Sequence, residues 1–278
     1  MKEKKNKTNI LKKIFFYLLF IIFLFTLIYS GYKIYIWDLD NKRTKELTEE
    51  IKKIAKPIPN TSEGELVNPP QETKQESDYW YYTSLPFYEV DFTKLKEKNS
   101  DTIAFIHMPE TNINYPVVQT NNNDFYLTHS FDKSYNKAGW IFADYINKNL
   151  KNNELDKNTI IYGHNRQNNS MFGTLSNVFK EEWLSNKENH YINFSTLNNN
   201  MVWEVFSTYT IEKEEYYIQS NFSSDEEYIS FLNTIKNRST YKYDVNISKE
   251  DKILTLSTCY NNDDKVVVHA KLIKRESK

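Results

Sequence analysis

Cysteine, glycine and proline are all scarce in this sequence. Of its 278 residues, one is cysteine, five are glycine and seven are proline. The single thiol, at Cys259, excludes an internal disulfide, so it is either a small buried hydrophobe or a group retained for its reactivity. With few glycines but 21 tyrosines and 17 phenylalanines, the composition favours a β-rich fold whose turns use Asn and Asp.

Excess charge is also lacking, because 36 basic and 37 acidic residues leave a formal charge of -1 at pH 7. A chain with this balance has no electrostatic footprint for nucleic acid, and no nucleic-acid partner is expected. The sequence contains no phosphate-binding glycine loop, and no group of His, Cys, Asp and Glu with metal-ligand spacing surrounds the candidate residues below. We therefore expect neither a metal nor another cofactor.

The N-terminus combines a basic segment with a long apolar run. Residues 1–13 contain six lysines and one acid, and residues 14–32 contain no charged side chain. Such a run approaches the ~20 residues needed to cross a bilayer, and flanking lysines stay on the cytoplasmic side. We expect a cytoplasmic segment at 1–13 and an uncleaved signal anchor at 14–32. The alternative is a cleaved signal peptide, but the run exceeds a typical ~7–15-residue apolar region and lacks a small-x-small cleavage site.

Residues 33–78 are expected to form an extracellular stalk. Within them, 38–56 is rich in charge and spaces Leu47, Ile51 and Ile54 as on a helix face, which predicts a short amphipathic spacer helix. Residues 57–78 are rich in Pro, Glu, Gln, Thr and Ser and have little apolar surface to bury. The folded domain is accordingly predicted to span 79–278.

The pattern beyond residue 79 is typical of strands separated by polar turns. A short helix is predicted at 92–98, and a longer one begins at Ser224 with a capping box closed by Glu227. The predicted strands are 102–108, 115–119, 140–143, 159–163, 190–195, 201–210, 252–258 and 265–274. About eight strands at this spacing predict a mainly β fold, either a closed barrel or a sandwich, with a few short helices.

Cys259 ends the alternating strand that begins at Ile253, and a polar turn over 260–264 follows it. A nucleophilic cysteine needs a base or a positive neighbour, because a thiol with a pKa of ~8.5 is only slightly ionised near neutral pH. His164 also ends an apolar run, so the two strand ends can meet at one rim of a barrel. His269 is the rival partner, although its mid-strand position also fits a satisfied or solvated sheet histidine. The remaining three are expected to be structural or exposed: His107, His129 and His190.

Several separated motifs resemble those of sortases, specifically class B. They are Thr-Leu-Ser-Thr-Cys at 255–259, Ile-Ile-Tyr-Gly-His at 160–164 and Asn-Tyr-Pro-Val-Val-Gln at 114–119, with Asp-Phe-Tyr-Leu at 124–127, Lys-Ala-Gly at 137–139 and Ser-Met-Phe-Gly at 170–173. The resemblance covers roughly residues 102–274. Each motif alone would be a weak signal, but several in the same order are a specific one.

The resemblance implies a closed sortase-type β-barrel held at the outer face of a Gram-positive membrane. It further implies a cysteine transpeptidase in which Cys259 is the nucleophile and His164 the proton-transfer partner. Class B enzymes typically cut an Asn-Pro-x-Thr-like sorting signal of a surface protein after threonine, hold it as a thioester, and pass it to an amine of a peptidoglycan precursor. A polymerase of pilins, with a protein lysine as acceptor, is the alternative enzyme.

One departure from the family pattern concerns the arginine that sortases carry on the strand after the cysteine. The matching position here is Lys265, which keeps the charge but not the bidentate fork. Either Lys265 performs the role, or Arg166 reaches in from the loop after His164, or the enzyme is weak. An inert sortase-like binding module stays open for the same reason. Ser257 and Thr258 are candidates to contact substrate or orient the histidine, or are ordinary strand residues.

Overall fold

The computed structural model describes residues 2–62, 64–68, 76–152, 154–212, 214–259 and 264–278. Its α-helices are α1 (Lys2–Ala55), α2 (Glu76–Ser84), α3 (Phe92–Lys98), α4 (Glu181–Leu184) and α5 (Asp225–Asn237). Its strands are β1 (Ile58–Asn60), β2 (Glu65–Leu66), β3 (Phe87–Glu89), β4 (Thr102–His107), β5 (Asn114–Val118), β6 (Phe142–Ala143), β7 (Asn158–His164), β8 (Tyr191–Thr196), β9 (Asn199–Ile211), β10 (Ile253–Cys259) and β11 (Lys265–Ser277). Short 3-10 helices cover Phe125–Leu127, Lys148–Asn152, Leu175–Phe179 and Lys187–His190.

The chain forms two compact units, Met1–Arg43 and Thr44–Lys278. The first belongs to α1, whose apolar side chains between Ile14 and Tyr32 are exposed. By length and composition, α1 is the one helix among the described residues that is long and apolar enough to cross a bilayer. An N-terminal apolar helix suited to membrane anchoring is therefore present.

Eight strands of the second unit close into a barrel. Their hydrogen-bonded order is β10, β7, β6, β5, β4, β8, β9 and β11, and β11 pairs again with β10. The short β2 adds to the outside edge of β11. Closure leaves the eight barrel strands without a free edge, and their inward side chains form one hydrophobic core. The predicted barrel of about eight strands with a few short helices is confirmed.

The local elements follow from the sequence pattern with few exceptions. At the start of α5, the Ser224 side chain accepts a hydrogen bond from the Glu227 backbone amide at 3.2 Å, while the Glu227 carboxylate binds Ser223. The predicted strand at 140–143 is shorter, because the Trp140 amide is bound by the Tyr126 carbonyl at 2.9 Å outside the sheet. The predicted polar turn at 260–264 lies, except for Asp264, outside the described residues.

The folded unit begins well before the predicted boundary at Tyr79, which corrects the predicted stalk. The C-terminal end of α1 packs on the barrel and buries Ile51 and Ala55 in its core. Farther along the supposed stalk, β1 pairs with β3 and β2 pairs with β11. The fully buried Lys274 explains part of this, because its ammonium donates to the carbonyls of Ser62, Thr83 and Leu85 at 2.8–3.0 Å. Residues 69–75 of the predicted stalk lie outside the described residues.

Candidate active site

Two parallel strands bring the ends of two distant segments together. Strands β7 and β10 pair in register from Asn158 with Ile253 to His164 with Cys259. Both strands are apolar and β-branched, and both are central in the sheet, so the register is fixed by burial on both faces. The histidine and the cysteine are therefore neighbouring positions at one rim of the barrel, as the two strand ends predicted.

On its other side, β10 pairs with β11 in the antiparallel direction, up to Ser257 with Val267. Continuing this register by two residues makes Lys265 the counterpart of Cys259. Neighbouring strands lie about 4.8 Å apart. With the register extended in this way, positions 164, 259 and 265 form one row across three adjacent strands, with the cysteine position in the middle.

The half-buried imidazole of His164 is oriented by a backbone carbonyl. Nε2 of His164 lies 2.8 Å from the carbonyl oxygen of Leu127, at the end of the 3-10 helix Phe125–Leu127. A carbonyl oxygen only accepts, so Nε2 carries a hydrogen whether the ring is neutral or charged. The neutral and charged forms of the ring consequently differ by a proton on Nδ1.

Gly139 allows this contact to form. The residue has a φ of +60°, in the left-handed region that favours glycine. A Cβ at this position would lie 2.5 Å from the Tyr126 carbonyl oxygen and 2.8 Å from Cδ2 of His164. The absence of a side chain therefore lets the carbonyls of the 3-10 helix and the His164 ring approach one another.

Lys265 stands at the first position of β11, beside the ring of Tyr217. Its Nζ lies 6.0 Å from the centroid of that ring, at the outer limit of a cation–π contact. The Tyr217 hydroxyl is in turn 2.9 Å from the side-chain oxygen of Ser257. The buried Tyr217 thus lies between the Lys265 ammonium group and Ser257, which precedes the cysteine by two residues on β10.

Ser257 and Thr258 are both buried, at 1% and 0% exposure. Ser257 holds Tyr217 as described, and Oγ1 of Thr258 accepts a hydrogen bond from the Val266 amide at 2.9 Å. Through these contacts both side chains are bound to other parts of the protein near the start of β11, where Lys265 lies. A contact of either side chain with substrate stays a prediction.

Arg166 is placed in the turn that follows β7. Its carbonyl accepts a hydrogen bond from the Asn169 amide at 3.0 Å, and the turn is closed by a β-bridge between Asn165 and Met171. The Arg166 side chain is half-buried. Arg166 lies two residues beyond the end of β7, whereas the extended β10–β11 register brings position 265 into the row with the cysteine position.

A sortase-domain family model matches residues 106–273 of this chain. The chain belongs to the sortase family. It is 36% identical over 187 residues to sortase B of Staphylococcus aureus, covering 66% of this chain and 75% of that protein. The crystal structure of sortase B from Bacillus anthracis in complex with AAEK1 is similar at 31% identity, with a TM-score of 0.67, and the match covers 85% of this chain and 99% of that one.

A Staphylococcus aureus sortase B–substrate complex is also similar, at 34% identity and a TM-score of 0.61, over 66% of this chain and 84% of that one. The relatives place this sortase in class B, and the class makes it a cysteine transpeptidase.

The other histidines of this sortase are engaged elsewhere. His269, the rival partner, is fully buried between the Tyr209 hydroxyl and the Thr255 side chain, each 2.9 Å from a ring nitrogen. Burial lowers the pKa of His269 to about 3, so the ring stays neutral. His129 stacks on Phe125 at 4.0 Å, and His107 and His190 lie among other rings. The expectation of a satisfied sheet histidine at 269 agrees with these contacts.

Sequence reasoning missed three contributors to the site: Leu127, Gly139 and Tyr217. Leu127 acts through its carbonyl, which no side-chain pattern reveals. Gly139 belongs to the Lys-Ala-Gly motif at 137–139. Glycine is rare in this chain, with five residues, so a glycine inside a motif was a usable signal. Tyr217 is one of 21 tyrosines and carried no distinguishing signal. Among the described residues, no group of three or more His, Cys, Asp and Glu is placed to hold a metal ion.

Proposed function

We propose that this sortase cleaves a C-terminal sorting signal of the Asn-Pro-x-Thr type after its threonine and joins the released carboxyl group to an amine of a cell-wall precursor. The observation that carries the proposal is the register of Cys259 with His164, because it makes positions 259 and 164 neighbours at one rim. The similar sortase B of Staphylococcus aureus has been solved in complex with a substrate, which supports a substrate-binding role for this chain.

In the first half-reaction, the Cys259 thiolate attacks the threonine carbonyl carbon and forms a C–S bond. The tetrahedral intermediate carries an oxyanion, which the positive charge of Lys265 stabilises from the neighbouring strand. As the intermediate collapses, the C–N bond breaks and Nδ1 of His164 gives a proton to the leaving amine. The product is a thioester between the threonine and Cys259.

The second half-reaction returns the enzyme to its starting state. The incoming amine loses a proton to Nδ1 of His164 and attacks the thioester carbonyl carbon. A new C–N bond forms, the C–S bond breaks, and the thiolate is released. Throughout the cycle, the Leu127 carbonyl keeps the hydrogen on Nε2, so that both proton transfers use the same nitrogen.

The membrane topology belongs to the same proposal. The basic residues 1–13 stay in the cytoplasm, 14–32 span the bilayer as an uncleaved anchor, and the unit Thr44–Lys278 lies outside. Surface proteins with a sorting signal and peptidoglycan precursors are then accessible on the same side. A protease-protection assay on intact and permeabilised cells tests this orientation.

The activity is tested with the full chain in lipid nanodiscs and a panel of sorting-signal peptides, each with and without a short amine acceptor. The proposal expects cleavage after threonine in Asn-Pro-x-Thr peptides and a ligated product when the amine is present. Ligation only to a lysine of a folded protein would instead support the pilin-polymerising alternative. Binding of the peptides without any cleavage would instead support an inert binding module, the alternative raised by lysine in place of arginine at position 265.

A further inference from the structure

A cavity lies on the opposite side of the barrel from the His164–Cys259 pair. Its volume is about 420 Å³, within the range of small-ligand sites. His107 of β4 and Asn193 of β8 contribute from the barrel, and Tyr81 of α2 and Tyr88 beside it in β3 contribute from outside. Around the barrel, β4 is three strands from β7, and β8 is three strands from β10. The cavity is therefore separate from the candidate active site.

Three residues that line this cavity each have a buried polar atom without a hydrogen-bond partner. Asn193 is only 6% exposed, and its Oδ1 has no hydrogen-bond partner in the part of the chain that the structure describes. The same is true of Nδ1 of His107 and of the Tyr81 hydroxyl. Buried polar atoms are almost always hydrogen-bonded, because an unsatisfied one loses its contact with water without replacement. The side-chain carbonyl oxygen of Asn193 can therefore accept a hydrogen bond from a group outside the described chain.

The walls of the cavity are aromatic. The His107 ring stacks on Tyr88, with centroids 4.2 Å apart and an interplanar angle of 22°. Tyr81 lines the same space and is itself partly buried against other tyrosines. Aromatic walls bind apolar chains and attract cations to their faces.

The formal charges that line the cavity are negative. The carboxylates of Glu110 and Glu188 stand at its rim, and none of the described lining residues is Lys or Arg. Burial raises the pKa of the Tyr81 hydroxyl, and the nearby Glu188 carboxylate raises it further. Burial lowers the pKa of His107 to about 4, with a smaller contribution from Lys52, which does not line the cavity. The imidazole is consequently neutral at pH 7, and the charge of the lining favours a cation.

We propose that this cavity is a binding site for a primary ammonium group on a short aliphatic chain, such as a lysine side chain or a free diamine. The ammonium donates to Oδ1 of Asn193 and lies in the field of Glu188. The aliphatic chain packs against the rings of Tyr81 and Tyr88. The site is independent of catalysis, because it shares no residue with the row at positions 164, 259 and 265.

The test is calorimetric titration of the full chain in nanodiscs with four probes: cadaverine, Nα-acetyl-lysine methylamide, its norleucine counterpart and the neutral disaccharide N,N′-diacetylchitobiose. The norleucine probe lacks the ammonium group and is expected to bind about tenfold more weakly, through the lost charge-assisted hydrogen bond and cation–π attraction. Preference for the lysine derivative over cadaverine points to a protein source, and the reverse preference to a free diamine. Both results support an ammonium site.

Variants separate this cavity from nonspecific binding. Asn193→Leu and the rim variant Glu188→Gln are each expected to weaken binding of the lysine derivative several-fold, whereas Glu182→Gln, outside the cavity, leaves it unchanged. Because Glu188 is exposed, its variant keeps the test valid if Asn193→Leu fails to fold. Three results would overturn the proposal: equal binding of the lysine and norleucine probes, binding of N,N′-diacetylchitobiose alone, or unchanged affinity in the Glu188→Gln variant.

Discussion

Nε2 of His164 lies 2.8 Å from the carbonyl oxygen of Leu127, and in the proposed mechanism this contact determines which nitrogen of the ring exchanges protons. The carbonyl belongs to the backbone, so it cannot be removed by changing the Leu127 side chain. The approach of the two groups depends instead on Gly139, whose missing Cβ leaves room for both. The orientation of the His164 ring, the proposed proton-transfer group, therefore depends on Gly139, which has no side chain to take part in the reaction.

Gly139→Ala is expected to lower kcat/KM for peptide cleavage by about tenfold or more, since small displacements of a catalytic group are costly. The added methyl group would meet the Tyr126 carbonyl at 2.5 Å and the His164 ring at 2.8 Å. It also adds about 1–2 kcal/mol of left-handed backbone strain. Steady-state kinetics measures the effect. Gly31→Ala is the matched control, because nothing lies within 4 Å of its Cβ; equal activity of the two variants would dissociate Gly139 from the site.

Lys265→Ala is expected to reduce cleavage by at least about tenfold, the scale of a lost oxyanion-stabilising group, and by more than Arg166→Ala does. The reason is the β10–β11 register, which, continued two residues beyond the pair Ser257 and Val267, makes position 265 the counterpart of the cysteine position. Lys265→Arg should retain at least the parent activity, because a guanidinium keeps the charge and adds a second donor. The three variants are compared in one peptide-cleavage assay. A larger loss in Arg166→Ala would transfer the role to Arg166.

Two substitutions at Tyr217 separate the effects of its hydroxyl group and its ring on stability and activity. Tyr217→Phe is expected to lose about 1 kcal/mol of stability with the hydrogen bond to Ser257, while the ring beside Lys265 remains. Tyr217→Leu removes the ring as well, and we expect a further loss of activity of about twofold to fivefold, as for a weak cation–π contact. Thermal unfolding and cleavage rates are measured together. The neighbouring Tyr216→Leu is the control, and an equal loss of activity there would argue against a specific role of Tyr217.

Buried histidines predict how stability depends on pH. Because the pKa of His269 is lowered to about 3 in the folded state, its contribution is complete above the unfolded value near 6.5 and is lost as pH falls from 6.5 towards 3. Each such histidine lowers the free energy of unfolding by up to about 1.4 kcal/mol per pH unit within this window. His107, whose pKa is lowered to about 4, acts in the same direction.

Denaturant titrations at several pH values test this contribution. His269→Gln should show a shallower decline of stability between pH 6 and 4 than the parent chain, whatever its stability at pH 8. Identical slopes in the two proteins would show that His269 does not remain neutral in the folded state.

The strand pattern predicted a barrel or a sandwich and favoured His164 as the neighbour of Cys259, and the sortase resemblance selected the barrel. Alternating strands, capping residues and strand ends are local signals, and a barrel of eight such strands brings the ends of β7 and β10 to one rim. The N-terminal extension of the fold was not predictable in this way. It depends on Lys274, whose buried ammonium binds carbonyls of residues 62, 83 and 85, which are remote in sequence.

The support around the site was hidden for a similar reason. Ser257 and Thr258 alternate in a strand as candidate substrate contacts would, but their partners, Tyr217 and Val266, are supplied by other segments. Side-chain type and spacing indicate which residues carry the chemistry. The contacts that hold them in place depend on tertiary packing, and one of them uses only a backbone carbonyl.

Intact-mass spectrometry of the full chain with an Asn-Pro-x-Thr peptide, in the absence of amine, tests the central claim most directly. The account predicts an adduct with the mass of the acyl fragment ending in threonine, located on Cys259 and released when an amine acceptor is added. The adduct should be missing in Cys259→Ala and should form much more slowly in His164→Ala. Cleavage of the peptide by Cys259→Ala at the parent rate, or an adduct on another residue, would contradict the account.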